Sequence, residues 1–299
     1  MQGLIANCDD TTVTDCVGFD LCGLDFQAYA LAMFRFIFLC FVCLTSPASA
    51  QVLLTSLDDV VQIEVREGWR DADGRHFAGL EVRLADGWKT YWRSPGASGI
   101  APRLQWAGSG NISGAVIHWP TPTPFLTAGY PSLGYTQDFV LPIELAPINP
   151  AAPIMLEAQI EIGVCLDICL PAKVNVRAEL PPIGQSDAAV VAALRDRPSA
   201  GRGQIRCSIR PSDSGVMLSA DIPQVRALGG DEAVAVEILH AHDRIWVADT
   251  SVSREGRVLR TQTEFMRPDD APVSLDRSGL RFTVVGREGA VEYFGCTGR

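Results

Sequence analysis

Basic clusters, long apolar stretches and helical periodicity are what this 299-residue sequence has least of. Its 25 Lys and Arg face 35 Asp and Glu, a net charge of −10, and the basic residues are nowhere gathered into a run. That balance argues against nucleic acid and anionic membrane surfaces as partners. After residue 50 no segment approaches the roughly 20 apolar helical residues that cross a bilayer, so the mature chain is not expected to insert stably into a membrane. Only four histidines occur. His240 and His242 share a strand face but continue the stripe Val234, Val236, Ile238 with no carboxylate cluster beside them, and His76 and His118 sit in no motif. No metal site is expected from any of them, and no internal repeat is visible.

The N-terminal fifty residues read as a segment removed during export. Phe34 to Leu44 is an apolar run with Arg35 at its start, too short to span a bilayer, and Ser46-Pro47-Ala48-Ser49-Ala50 supplies the small residues of a cleavage site. Cleavage is expected after Ala50. Residues 1–32 carry Asp9, Asp10, Asp15, Asp20 and Asp25 and no Lys or Arg, the opposite of a basic signal start, so Met33 is the expected true start. An acidic extension with its own cysteines is the alternative. Since one base and five acids fall before Gln51, the charge of the mature chain moves to about −6. Five of nine cysteines also fall there, leaving Cys165, Cys169, Cys207 and Cys296. An even count in an exported chain favours disulfides over zinc, with three connectivities open.

Both halves of the mature chain alternate apolar and polar residues. Examples are Val61-Ile63-Val65, Leu80-Val82-Leu84, Leu156 to Val164, Val174 to Leu180, Val234 to Ile238 and Phe282-Val284. Period two means strands with one buried face each, and Asp73-Gly74, Asp86-Gly87 and Gly229-Gly230 supply turns. The seam is Pro181-Pro182-Ile183-Gly184, followed by Ser186 and Asp187 as helix caps, helix formers Ala188 to Leu194, and Pro198 as a stop. The expected fold class is all-β: two antiparallel β-sandwich domains, 51–183 and 204–299, joined by a linker, 184–203, with a short helix. Pro120 to Tyr135, with Pro122, Pro124, Gly129, Pro131 and Gly134, is expected to be a long ordered loop rather than a regular strand.

Parity makes Met155 to Leu180 the most informative stretch. Leu156, Ala158, Ile160, Ile162 and Val164 share the inward face, which puts Cys165 on the outward one with Glu157, Gln159, Glu161 and Gly163. Beyond the three-residue connection Leu166-Asp167-Ile168, Val174, Val176, Ala178 and Leu180 point inward, so Cys169 also lies on the outward parity. Facing residues of a hairpin lie within disulfide reach, roughly 4.5–5.5 Å at Cα. Both sulfurs are therefore expected on one solvent face, able to open and close without moving the sheet. Asp167 between them would raise a thiol pKa by its charge or accept a proton from an attacking thiol, and the sequence does not decide between these effects. Cys207, between Ile205 and Ile209 on an inward face, is expected to bond Cys296 as an inert staple across the second domain. The adjacent pair Tyr91 and Trp92 should point to opposite faces of a strand, one to the core and the other bordering the cysteines.

At these residues a family resemblance enters. Val164-Cys165-Leu166-Asp167-Ile168-Cys169-Leu170-Pro171-Ala172 resembles the redox hairpin of the DsbD N-terminal domain family. Asp86 to Gly96 is similar to the strand that follows an Asp-Gly turn there, and Tyr135 with Leu141-Pro142 to the strand after its cap loop. The resemblance covers roughly residues 51–183. It implies an immunoglobulin-like fold, a periplasmic location and a catalytic pair, Cys165 and Cys169, that carries reducing equivalents from an electron donor, membrane-bound or soluble, to periplasmic redox proteins, with no further cofactor. It also implies that Pro120 to Tyr135 is the cap over the pair, shielded by Phe125, Tyr130 or Tyr135 unless these merely anchor the loop. The cysteines are closer together than in the best-known members, and the family's membrane domain is absent from this sequence. The alternatives are a non-catalytic two-domain binding or assembly module with two structural disulfides, and a soft-metal carrier. The lack of a Met or His cluster near Cys165 weighs against the second of these.

Overall fold

The computed structural model describes residues 56–298 except 128, 224, 226–227, 231, 240–244 and 270. The expected signal segment, the start at Met33, and His240 and His242 lie outside the described residues. Among the described residues no helix is long and apolar enough to cross a membrane.

The first half comprises α1 (Leu57–Val60), β1 (Val61–Arg70), β2 (His76–Leu84), β3 (Lys89–Tyr91), β4 (Arg103–Gln105), β5 (Ile112–Ile117), β6 (Thr123–Thr127), β7 (Tyr130–Tyr135), β8 (Phe139–Pro147), β9 (Ile154–Cys165) and β10 (Cys169–Leu180). These form an antiparallel sandwich of immunoglobulin-like kind. One sheet has the order β1-β2-β8-β5; the other runs β10-β9-β3-β7-β6, with β4 also on β9. The alternating apolar residues make the core: Ile63, Leu80, Val82, Leu141 and Ile143 from one sheet meet Leu156, Ala158, Ile160, Val164 and Val176 from the other. Each such aliphatic side chain taken from water contributes about 1.5–3 kcal/mol.

After α2 (Ala188–Arg195) the second sandwich contains β11 (Ser199–Ala200), β12 (Arg206–Pro211), β13 (Gly215–Ile222), β14 (Ala233–Ile238), β15 (Trp246–Val247), β16 (Ser251–Glu255), β17 (Val258–Met266), β18 (Leu280–Gly286), β19 (Gly289–Phe294) and β20 (Thr297–Gly298). Its sheets run β11-β19-β18-β14 and β15-β17-β13-β12-β20, with β16 on β17. It has a core of its own, around Cys207, Leu218, Leu259, Phe265, Phe282 and Val284. The described residues from both sandwiches belong to one compact unit.

The helix α2 is docked on the first sandwich rather than strung between the two. Asp187 caps it, its Oδ1 accepting from the N–H groups of Ala189 at 2.8 Å and Val190 at 3.1 Å, and its carboxylate pairs with Arg66 at 3.0 Å. Burial alone would raise the Asp187 pKa, but the Val190 and Ala189 N–H donors together with Arg66 outweigh it and hold the carboxyl below its ordinary value. Val190 is fully buried against Gly79, where a Cβ would come within 2.8 Å of its Cγ2.

One expectation about backbone is corrected. Thr123–Thr127 and Tyr130–Tyr135 pair as the two strands of a β-hairpin, β6–β7, in place of the expected long ordered loop. The prolines are tolerated because β6 is an edge strand, which has a side with no ladder bonds to make. Pro131 precedes the point where β7 joins β3, at Gly134 and Tyr135.

Candidate functional site

The site is built at the end of the hairpin β9–β10. Cys165 and Cys169 are facing residues in its register, with Cα atoms 4.1 Å apart, and are bonded to each other; Cys207 and Cys296 form the second disulfide. Leu166, Asp167 and Ile168 make the turn, closed by the Leu166 N–H donating to the Ile168 carbonyl at 3.2 Å. All three stand exposed at the tip, Ile168 at 70%.

Parity places both sulfurs on the outer face of the sheet, yet that face is not solvent. Cys165 is 1% exposed and Cys169 half-buried, so the expectation that the face carrying both sulfurs is open to solvent is corrected. The cover is Tyr91. In the register of β3 on β9, Lys89 faces Cys165 and Thr90 faces Val164. Tyr91 therefore lies on the cysteine face, opposite Gly163. Its ring fits because neither neighbour has a side chain: a Cβ on Gly163 would fall 3.0 Å from Tyr91 Cδ2, and one on Gly99 would fall 3.1 Å from Cδ1. The hydroxyl then reaches both sulfurs, 3.1 Å from Cys169 Sγ and 3.2 Å from Cys165 Sγ. A disulfide carries no S–H, so the Tyr91 O–H donates.

The second cover is the cap hairpin. The Phe125 ring on β6 lies over Tyr91, centroids 6.1 Å apart and 29° from parallel, and Lys89 Nζ stands 5.7 Å from the Phe125 centroid. An O–H donor at the sulfurs favours the thiolate once the bond is reduced, and Lys89, which faces Cys165 in the register, adds a positive charge to the same face. Of the other cap aromatics, Tyr135 is an anchor away from the sulfurs. It is buried, donates its hydroxyl to the Pro120 carbonyl at 3.0 Å and stacks on Phe139 with centroids 3.8 Å apart. Burial pushes its pKa well up. Tyr130 stands 59% exposed at the hairpin turn.

Tyr91 and Trp92 are both buried, at 1% and 0%, Tyr91 against the cysteines and Trp92 away from them. β3 ends at Tyr91, and Trp92 turns into a cluster between the sandwiches with Leu133, Tyr135, Ala235, Val285 and Ala290. Sequence reading missed Gly99, Gly163 and Lys89. The parity of Lys89 and Tyr91 was readable, but the register of β3 on β9 was not. Among the described residues no three His, Cys, Asp or Glu side chains converge as a metal site would require.

Fold and site together define a class: an all-β protein of two sandwiches, with a disulfide on the tip of a hairpin, covered by a tyrosine and a second hairpin. Residues 57–181 match the family model described as thiol:disulfide interchange protein DsbD, N-terminal. Over those residues the chain is similar to that family. It is also similar to the crystal structure of the N-terminal periplasmic domain of ScsB from Proteus mirabilis, with a TM-score of 0.61 and 24% sequence identity over 82% of this chain and 97% of that one. That likeness extends the shared fold beyond the family match into the second sandwich. None of the curated proteins matches the chain.

Proposed function

We propose that the protein is a periplasmic thiol–disulfide oxidoreductase that passes reducing equivalents to exported proteins through Cys165 and Cys169. It would be exported by a signal segment cleaved after Ala50 and divided into a redox domain (51–183), a linker (184–203) and a second sandwich (204–299). The observation that carries the reading is a disulfide closing only four residues of separation at an exposed tip, with an O–H donor on both sulfurs. A staple placed for stability has no use for a donor to its sulfurs. A pair that must spend part of its cycle as thiolate does.

Accessibility divides the labour. In the reduced protein the thiolate of Cys169, the less buried sulfur, attacks a partner disulfide. A mixed S–S bond forms and the partner's other sulfur leaves as thiolate. Cys165 then attacks Cys169 Sγ, which restores the intramolecular disulfide and releases the second partner thiolate, so that two electrons have moved to the partner. Recharging by a membrane-bound or soluble donor is the same sequence in reverse. The exposed Leu166 and Ile168 beside the sulfurs offer the apolar rim on which a partner would sit.

The test is trapping. Cys165→Ser, incubated with periplasmic extract, should accumulate mixed disulfides through Cys169, because the resolving sulfur is gone; Cys169→Ser should accumulate few. Neither variant trapping a partner would overturn the exchange reading, and equal trapping by both would overturn the division of labour.

A further inference from the structure

The disulfide, Tyr91 and the cap all belong to the first sandwich, but the chain beside Tyr91 and the cap strand are also held by the second. Contacts between the sandwiches fall on the segment that follows β3 and on the cap strand β7. Immediately after Tyr91, Trp92 is wedged against Ala235 and Val285. The guanidinium carbon of Arg93 stands over the Trp92 ring, 3.8 Å from its centroid, and Arg93 binds Glu237 at 3.1 Å and Glu292 at 2.6 Å, both on the second sandwich. Arg281 shares Glu237 at 2.6 Å. With side chains 12–21% exposed, these ion pairs are largely withdrawn from solvent screening. On the cap side, Leu133 of β7 enters the same cluster, its carbonyl accepting from the backbone N–H of Trp92 at 2.9 Å and its own N–H donating to the Pro95 carbonyl at 2.9 Å. Past Pro95, the Ala97 N–H donates to Asp249 Oδ1 at 2.7 Å.

Tyr91 is thus one residue from a wedge and two from a clamp, both set in the second sandwich, and the cap strand that pairs with it is fixed to the same body. We infer that the second sandwich is a buttress that holds Tyr91 and the cap hairpin closed over the Cys165–Cys169 bond, and that Arg93 is the positioning residue through which it acts. Arg93 touches neither sulfur. Its effect on them passes through the backbone of residues 91–93 and through the β3–β7 pairing. The inference rests on the reading of Cys165 and Cys169 as a working pair, and it assigns the second sandwich to control of that pair's access and thiolate stability.

The experiment uses the full chain and two small reagents, dithiothreitol and iodoacetamide, so it requires no biological partner and stands apart from the trapping result. In Arg93→Gln, reduction of Cys165–Cys169 by dithiothreitol should accelerate on the order of tenfold, the effect of losing one charge-assisted clamp on a closed state. The alkylation profile of the reduced pair should move to higher pH, because a displaced Tyr91 hydroxyl stabilises the thiolate less. Tyr91→Phe should move the profile the same way, and Arg93→Gln added to Tyr91→Phe should move it no further. Arg93→Lys should recover part of the effect. Glu237→Gln with Glu292→Gln removes the same clamp from the opposite side and should reproduce Arg93→Gln, which covers a variant that fails to fold. Unchanged reduction rate and profile in both sets would overturn the inference, as would an additive shift in the Tyr91→Phe background.

Discussion

Replacing both cysteines of one bridge by alanine removes the same chemistry at either site but very different amounts of loop closure. Cys165–Cys169 spans a sequence separation of 4 and Cys207–Cys296 one of 89. The chain-entropy relation gives about 1.9 kcal/mol for the short loop and about 4.6 kcal/mol for the long one. The burial lost with the sulfurs nearly cancels in the comparison, because each bridge has one fully buried member, Cys165 at 1% and Cys207 at 0%. The double variant Cys207→Ala with Cys296→Ala should therefore lose roughly 2.7 kcal/mol more stability than Cys165→Ala with Cys169→Ala. With a urea slope of about 1–3 kcal/mol/M, that difference moves a midpoint by about 1–3 M. The sandwiches need not unfold together, so each should be followed in its own peptides by hydrogen exchange in rising urea: 154–180 for the first, 206–222 and 280–294 for the second. Each change is taken against the unaltered protein. Equal costs for the two bridges, or a larger cost at the hairpin, would refute the assignment of one as a light working bond and the other as a staple.

Gly163→Ala places a Cβ 2.7 Å from Ile100 Cβ and 3.0 Å from Tyr91 Cδ2. It should cost about 1–3 kcal/mol in urea unfolding and shift the alkylation profile of the reduced pair upward in pH; an unchanged midpoint and profile would count against the glycine cradle. Trp92→Ala empties the wedge between the sandwiches and should cost about 3–5 kcal/mol, with a measured loss below about 1 kcal/mol ruling the wedge out. His76 is buried, its Nε2 2.6 Å from the Glu67 carbonyl, and burial lowers its pKa below 6.5. Between 6.5 and that lower value the unfolded chain binds a proton that the fold does not, so stability of the first sandwich should fall as pH drops below 6.5. His76→Gln should flatten that slope, and a slope unaltered by it would place the cause elsewhere. Asp187, with its pKa lowered in the fold, contributes stability above the ordinary carboxylate range that is lost as pH falls through its folded value. Hydrogen-exchange protection of residues 188–195 should therefore fade below about pH 4, and no fading by pH 2 would exclude the cap as its source.

The sequence by itself determined what is local and periodic. Alternation at period two marked β9 and β10, and because side chains on a strand can point only two ways, the three-residue connection put Cys165 and Cys169 opposite each other on one face. Helix formers between Asp187 and Pro198 marked α2 for the same kind of reason. Periodicity says which face a residue takes and nothing about what lies on that face. Whether the outer face at Cys165 met water depended on the register of β3 against β9, on Gly99 and Gly163 leaving room for a ring, and on prolines at 124 and 131 sitting where the cap hairpin makes no demand on their missing N–H groups. Those are contacts between segments far apart in the chain, such as Lys89 with Cys165 and Thr90 with Tyr135, 76 and 45 residues apart. The clamp of Arg93 on Glu237 and Glu292 spans 144 and 199 residues and joins two bodies whose sequences are each complete as sandwiches. Tertiary packing alone decided that Tyr91 covers the disulfide, because a ring's position is set by the space that distant chain segments leave for it.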